Sequence, residues 1–258
     1  MTVMLWVKMP TEWISHGLLR SSFSGPKVGE DIAALKIYLV LCLLSKEVQR
    51  PVPSPSYLKI TGNVKMTGVL ECSATYDQLT EMCSLSRSLV SRGLTKLREM
   101  GLINVEGGYR SKKYRLSGSV ERRWCKLPKR ALVHNEERIP MLSDFFNRYN
   151  YERNALKLYF YILASRTNSK RHVDLSRGVI SKKTGVPLLD IDGALGFLQS
   201  IGFIAKIESR GYLARSQKIS EENKLHRYWV TGNEALYYRT FTYSDDLEDE
   251  DEDFSIPY

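Results

Sequence analysis

The chain has 258 residues, 43% of them hydrophobic, enough to bury a core in one large domain or two small ones. Its formal charge of +9 hides an asymmetry: Asp245–Asp253 reads DDLEDEDED, and setting those eight acids aside leaves 21 against 38 lysines and arginines, a net of +17. A body that basic points to a polyanion, foremost nucleic acid, as partner. The four cysteines and four histidines show neither a C-x-x-C pair nor ligand-like spacing, so no metal, cofactor or disulfide framework is expected and a reducing cytoplasm fits. Lys8 and Pro10 interrupt the N-terminal apolar run, and no stretch reaches the ~20 apolar residues that span a bilayer, so neither a signal peptide nor a membrane contact is expected.

In chain order, Trp6–Pro10 (WVKMP) comes first, and the same order of residue types returns at Trp124–Pro128 (WCKLP). It reads as a lead-in strand ended by Pro10 or Pro128, with Trp6 and Trp124 filling equivalent core sites. An apolar helix over Asp31–Lys46 follows, its Ile37, Leu41 and Leu44 on one face. Residues 47–74 then form an insertion, opened by Pro51, Pro53 and Pro55, with a hairpin centred on Gly62-Asn63. A short helix from Tyr76 turns Leu79 inward. The next helix, SRSLVSRGLTKLREM, is capped by Ser86 and stopped at Gly101, where a left-handed residue is required. Two strands around Gly107-Gly108 close the unit.

The order then repeats. ALKIYL (Ala34–Leu39) returns as ALKLYF (Ala155–Phe160), within a helix over Tyr151–Arg166. LREMGLI (Leu97–Ile103) returns as LQSIGFI (Leu198–Ile204), and KYRLSG (Lys113–Gly118) as RYWVTG (Arg227–Gly232). A short helix near Leu175, with Ile180 inward, precedes PLLDIDGALGFLQSI, which starts at Pro187 and stops at Gly202. Four blocks in one order mark two copies of one unit.

Helix, helix, turn, helix and two-stranded ribbon is the winged-helix order, and Ala74–Ile103 (ATYDQLTEMCSLSRSLVSRGLTKLREMGLI) resembles the helix-turn-helix of winged-helix DNA-binding proteins, both MarR-type regulators and plasmid or phage replication initiators. The expected fold is mainly α with small β wings, in the α+β class: winged-helix domains at 1–119 and 120–243 and a disordered acidic tail at 244–258. With Val90, Leu94 and Leu97 inward, the helix that would read DNA turns Ser88, Ser91, Arg92 and Thr95 outward. Ser86 and Arg87 stand at its start and Lys96 beside them, while Arg110, Lys112, Lys113 and Arg115 of the wing suit phosphates.

The second copy puts Leu189, Asp192, Gly193 and Phe197 where the first has Ser88, Ser91, Arg92 and Lys96. Acids repel phosphate, so this helix is not expected to read a groove. Outward Leu189 and Phe197 point either to a protein interface, such as a homodimer, or to an internal core. Lys170, Arg171, Lys182, Lys183, Arg210 and Arg215 remain as candidate phosphate contacts. The tail tip DFSIPY resembles the C-terminal tip of bacterial single-stranded-DNA-binding proteins. That resemblance implies docking of replication proteins through Asp253, Phe254, Ile256, Pro257 and Tyr258, although Ser255 and the terminal tyrosine depart from the pattern. No phosphate-cradling glycine loop, nucleophile elbow or paired-carboxylate motif is present, so a binding protein rather than an enzyme is expected. Three roles fit: an initiator that binds origin DNA, a transcription regulator that dimerises through its second unit, or an adaptor that uses both units for protein contacts.

Overall fold

A computed structural model describes residues 5–51, 66–107, 112–118, 123–134, 138–167, 170–212 and 221–233. The first half runs β1 (Val7–Pro10), α1 (Glu12–Ser15), α2 (Leu18–Ser21), α3 (Val28–Leu44), β2 (Lys46–Pro51), β3 (Met66–Ala74), α4 (Tyr76–Cys83), α5 (Arg87–Glu99), β4 (Ile103–Gly107) and β5 (Lys112–Leu116). The second runs β6 (Trp124–Leu127), α6 (Lys129–Leu132), α7 (Pro140–Ser143), α8 (Asn150–Ser165), β7 (Val173–Ser176), α9 (Arg177–Thr184), α10 (Leu188–Ser200), β8 (Ile204–Tyr212) and β9 (Lys224–Val230). The chain is of the α+β class.

Both halves build an antiparallel sheet of one order, β3-β5-β4 in the first and β7-β9-β8 in the second. The first sheet is widened by β2, which pairs with β3 from Lys46↔Glu71 to Pro51↔Met66. The insertion expected at 47–74 is therefore smaller than it looks in sequence. Its second arm, β3, is the strand that β7 matches, and Leu70, Cys72 and Ala74 point from it into the core. Alternation of buried and exposed residues along β3 is the signature of a half-buried strand. Pro53, Pro55 and the Gly62-Asn63 pair lie outside the described residues.

Helix α3 is apolar around nearly its whole circumference, as a helix enclosed by other elements must be. It packs against α8, its counterpart, and the buried side chains of both halves form one core. Against α3 lies α5, close because residue 93 is glycine: a Cβ there would sit 2.7 Å from Ile37 Cδ1 and 3.0 Å from the Ala33–Ala34 backbone. Gly101 and Gly202, at φ 67° and 83°, end α5 and α10 in the left-handed region.

The repeated pentapeptides turn out to be partners. β1 and β6 pair antiparallel with Lys8 opposite its own counterpart Lys126; Val7 faces Leu127, the counterpart of Met9, and Met9 faces Cys125, the counterpart of Val7, as a local two-fold axis requires. Trp6 and Trp124 hold equivalent positions at this ribbon, but not in the core. They stack on each other, centroids 5.7 Å apart and planes within 8°, and both are half-buried. Beyond this ribbon each lead-in arm crosses to the other half. From the first arm, Trp13 packs edge-on to Phe160, Arg20 donates to the Lys182 carbonyl at 3.4 Å, and the Phe23 carbonyl accepts from buried Lys157 at 3.1 Å. From the second arm, Arg138 pairs with Glu81 and Asn147 Oδ1 accepts from buried Lys36 at 2.8 Å.

Candidate nucleic-acid interface

The α4–α5 corner is built from local signals. Thr75 Oγ1 caps α4 by accepting from the Gln78 amide, Ser84 takes a left-handed φ of 50° to turn the chain, and Ser86 Oγ caps α5 by accepting from Leu89. Val90, Gly93, Leu94 and Leu97 face the core, and Arg87, Ser88, Ser91, Arg92 and Thr95 are exposed, as the 100° advance per residue requires. Arg87 is paired with Asp77 of α4; Arg92 donates to Ser88 Oγ at 2.9 Å and stands 3.9 Å from Glu30. Exposed ion pairs of this kind are worth at most about 1 kcal/mol, so a phosphate or a guanine edge can displace them. Lys96 differs. Its ammonium is drawn inward to buried Asp31 and over the Phe23 ring, which removes it from the outward set.

The hairpin β4–β5 carries the other cations. Lys112 lies over the Tyr76 ring at 5.1 Å. Lys113 Nζ and Arg115 Nε reach one carboxylate, that of Glu71 on β3, at 2.7 and 2.8 Å. Arg50 of β2 completes the group at 2.8 Å. Hydrogen bonds from Arg50 above all, then Lys113 and Arg115, hold the Glu71 carboxyl down at about 2, despite its burial. Arg115 also stands 3.4 Å from exposed Glu106, so three cations meet two carboxylates and the group keeps one positive charge. The sequence reading missed Arg50, whose alternation with Lys46 and Val48 along β2 marks one face of a strand. Arg110 lies outside the described residues.

The second half inverts this charge pattern. On α10, Asp192 binds Arg177 of α9 at 2.6 Å, Asp190 accepts from Asn154 at 3.2 Å, and Gly193 is exposed. Leu189 is 96% exposed, whereas Phe197 is packed between Phe145 and Tyr151 at 5.0 and 5.2 Å. The two outward apolar residues thus part ways, one in solvent and one in an aromatic cluster. Lys182 and Lys183 on α9, Lys170 and Arg171 before β7, and Arg210 on β8 are exposed, spread around this half rather than gathered on α10. Arg215 and the tail residues Asp253, Phe254, Ile256, Pro257 and Tyr258 lie outside the described residues.

All four cysteines are buried, and burial pushes Cys83 and Cys125 up to about 12, far from thiolate chemistry. Among the described residues no group of three or more His, Cys, Asp or Glu could hold a metal ion, and no helix is long and apolar enough to cross a membrane. No protein-family model matches the sequence, and comparison with curated proteins finds no relative.

Proposed function

We propose that the chain is a sequence-specific double-stranded DNA-binding protein made of two tandem winged helices, of which the first reads DNA. One observation carries this reading. The exposed start of α5 presents Arg87, Ser88, Ser91 and Arg92 beside a cationic hairpin, while the matched positions of α10 are apolar, acidic or glycine. Small serines let a helix approach the groove floor, arginine bonds guanine through two donors, and Lys112, Lys113, Arg115 and Arg50 suit the flanking phosphates. Lys182, Lys183 and Arg210 would lengthen the footprint without reading sequence.

The role that best joins this with the tail tip is replication initiation: binding origin DNA and recruiting replication proteins. A regulator that dimerises through its second unit is the second reading, favoured by the exposure of Leu189. Binding-site selection from a random duplex library, followed by footprinting, tests both. Directly repeated sites support initiation and a palindrome over a promoter supports regulation. Arg92→Ala should lower affinity for the selected site by about 1–3 kcal/mol while leaving non-specific binding nearly unchanged. No preference for any sequence over competitor DNA would sink the proposal.

A further inference from the structure

The turn that leads into α8 presents aromatic rings to solvent. Phe146 is 66% exposed, Tyr149 42% and Tyr151 38%. Tyr149 and Tyr151 are stacked at 5.5 Å with planes 13° apart, and the Arg148 guanidinium lies over both Phe146 and Tyr149, at 5.7 and 5.1 Å. Exposed rings in a row cost solubility unless something covers them.

Two further features show that this turn is built rather than loose. The Glu152 carboxylate is fully buried and accepts from four successive backbone amides, those of Phe146, Asn147, Arg148 and Tyr149. Buried Lys36, from the other half, fixes Asn147, which holds the left-handed φ of 63° that redirects the chain. Two buried charges thus lock a turn whose side chains point outward. The fold itself does not ask for those exposed rings: each half buries one phenylalanine ahead of its long helix, Phe23 and Phe145, but the first continues Ser-Gly-Pro-Lys where the second continues Phe-Asn-Arg-Tyr.

From these contacts we infer that the Phe146–Tyr151 turn is a stacking platform for unpaired nucleotides. The inference rests on the DNA-binding reading above and extends it to single strands. Three observations choose this occupant. Arg148 is interleaved with the rings, the pattern that holds a base face and a phosphate together. The turn's own acid, Glu152, is buried and its charge consumed by amides, leaving Asp144 as the exposed carboxylate of the segment. The platform also borders the proposed reading helix, since the Asn147 carbonyl and Leu89 Cδ2 of α5 both lie within 4 Å of where a Cβ on Gly29 would be. Bases stack on such rings with little regard to sequence, so a duplex held by α5 could have its opened strand captured next door.

The test uses the full-length protein and three labelled probes: a dT 20-mer, a 20-mer of abasic sites with the same phosphates, and a 20-bp duplex containing the selected site. Wild type should bind dT about tenfold or more tighter than the abasic strand. Phe146→Leu with Tyr149→Leu and Tyr151→Leu, which keeps apolar area but removes all three rings, should erase that preference and leave duplex affinity within twofold. Equal binding of dT and abasic strands by wild type overturns the platform, as does a leucine variant that keeps the preference. A variant that instead changes oligomeric state, with strand binding intact, assigns the surface to a protein contact and likewise overturns it. Duplex binding is read separately through Arg92→Ala, so loss of the duplex reading leaves the dT-over-abasic comparison standing, and the reverse.

Discussion

Helices α5 and α10 occupy the same place in their halves and share nearly everything that faces inward. Val90, Leu94 and Leu97 answer to Ile191, Leu195 and Leu198, all buried. Outward they have nothing in common: Ser88, Ser91, Arg92 and Thr95 stand against Leu189, Asp192, Gly193 and Gly196. A duplicated unit keeps what the core demands and is free to change what solvent sees. The surfaces where the halves differ, on α5, the hairpin and the aromatic turn, are those that carry the proposed function, and the shared features are architecture.

The largest expected effect tests that inward sameness at its one tight exception. Gly93 is matched by Ala194, but only at Gly93 would a Cβ press on α3. Gly93→Val should cost about 3 kcal/mol of stability, read by denaturant or thermal unfolding, because Ile37 can yield and the Ala33–Ala34 backbone cannot. A variant as stable as wild type would mean that α5 does not lie against α3 as closely as described.

Glu71 tests the cationic sheet face. Glu71→Gln should destabilise by about 2 kcal/mol, since Arg50, Lys113 and Arg115 then share only the exposed Glu106 carboxylate, 3.4 Å from Arg115. It should also raise non-specific DNA affinity and steepen the salt dependence. The sign with pH follows: the folded carboxyl is held at about 2, below its ordinary value near 4.5, so its stabilisation is complete above pH 4.5 and is lost as pH falls toward 2. An acid unfolding curve identical for Glu71→Gln and wild type would contradict this.

Two buried lysines, one in each half, predict a slope of the same sign at the alkaline end. Lys36 and Lys157 are brought down from 10.5 to about 8, chiefly by burial, so above pH 8 the unfolded chain holds more protons than the folded one. The two lysines therefore contribute stability that grows between pH 8 and 10, while the four buried cysteines, pushed up from 9.0 by burial, and then buried tyrosines such as Tyr38 and Tyr159 contribute a loss from about pH 9 upward. Measured by denaturant midpoints, the difference between wild type and Lys36→Met with Lys157→Met should shift in favour of wild type from pH 8 to 10, because the cysteine and tyrosine contributions are common to both; a difference that stays constant would contradict this.

What could be read from the sequence was what recurs at helical spacing. The inward residues of α5, the Ser86 cap and the Gly101 stop all stand where periodicity and capping chemistry put them. The misses concern what a buried face is buried against. The repeat puts Trp6 and Trp124 in equivalent core sites, each ahead of its own helix; that they stack on each other, half-buried, depends on a strand pair joining residues 118 positions apart. Lys96 sits on the outward side of the helix by angle alone, yet Asp31, 65 positions earlier, pulls it in. Strand β3 was hidden among prolines and glycines of the insertion. The aromatic turn went unnoticed because a run such as FFNRYNY reads as core until Glu152 is seen to hold it open.

The smallest effect asks whether α10 is idle. Gly193 and Gly196 lie inside a helix, at exposed positions with nothing within 4 Å of where a Cβ would be. Nothing among the described residues explains either glycine, and in a helix interior each costs up to about 1 kcal/mol relative to alanine. Gly193→Ala should therefore stabilise the protein by about 0.5–1 kcal/mol, in contrast to the large loss at Gly93, one position short of the matched site. If α10 meets only solvent, DNA affinity and oligomeric state stay unchanged. If a second copy approaches the helix closely beside Leu189, the added methyl groups of Gly193→Ala and Gly196→Ala weaken self-association while the monomer gains stability. Unfolding and sedimentation measured on one preparation separate the two, because the same methyl groups then act with opposite sign on folding and on assembly.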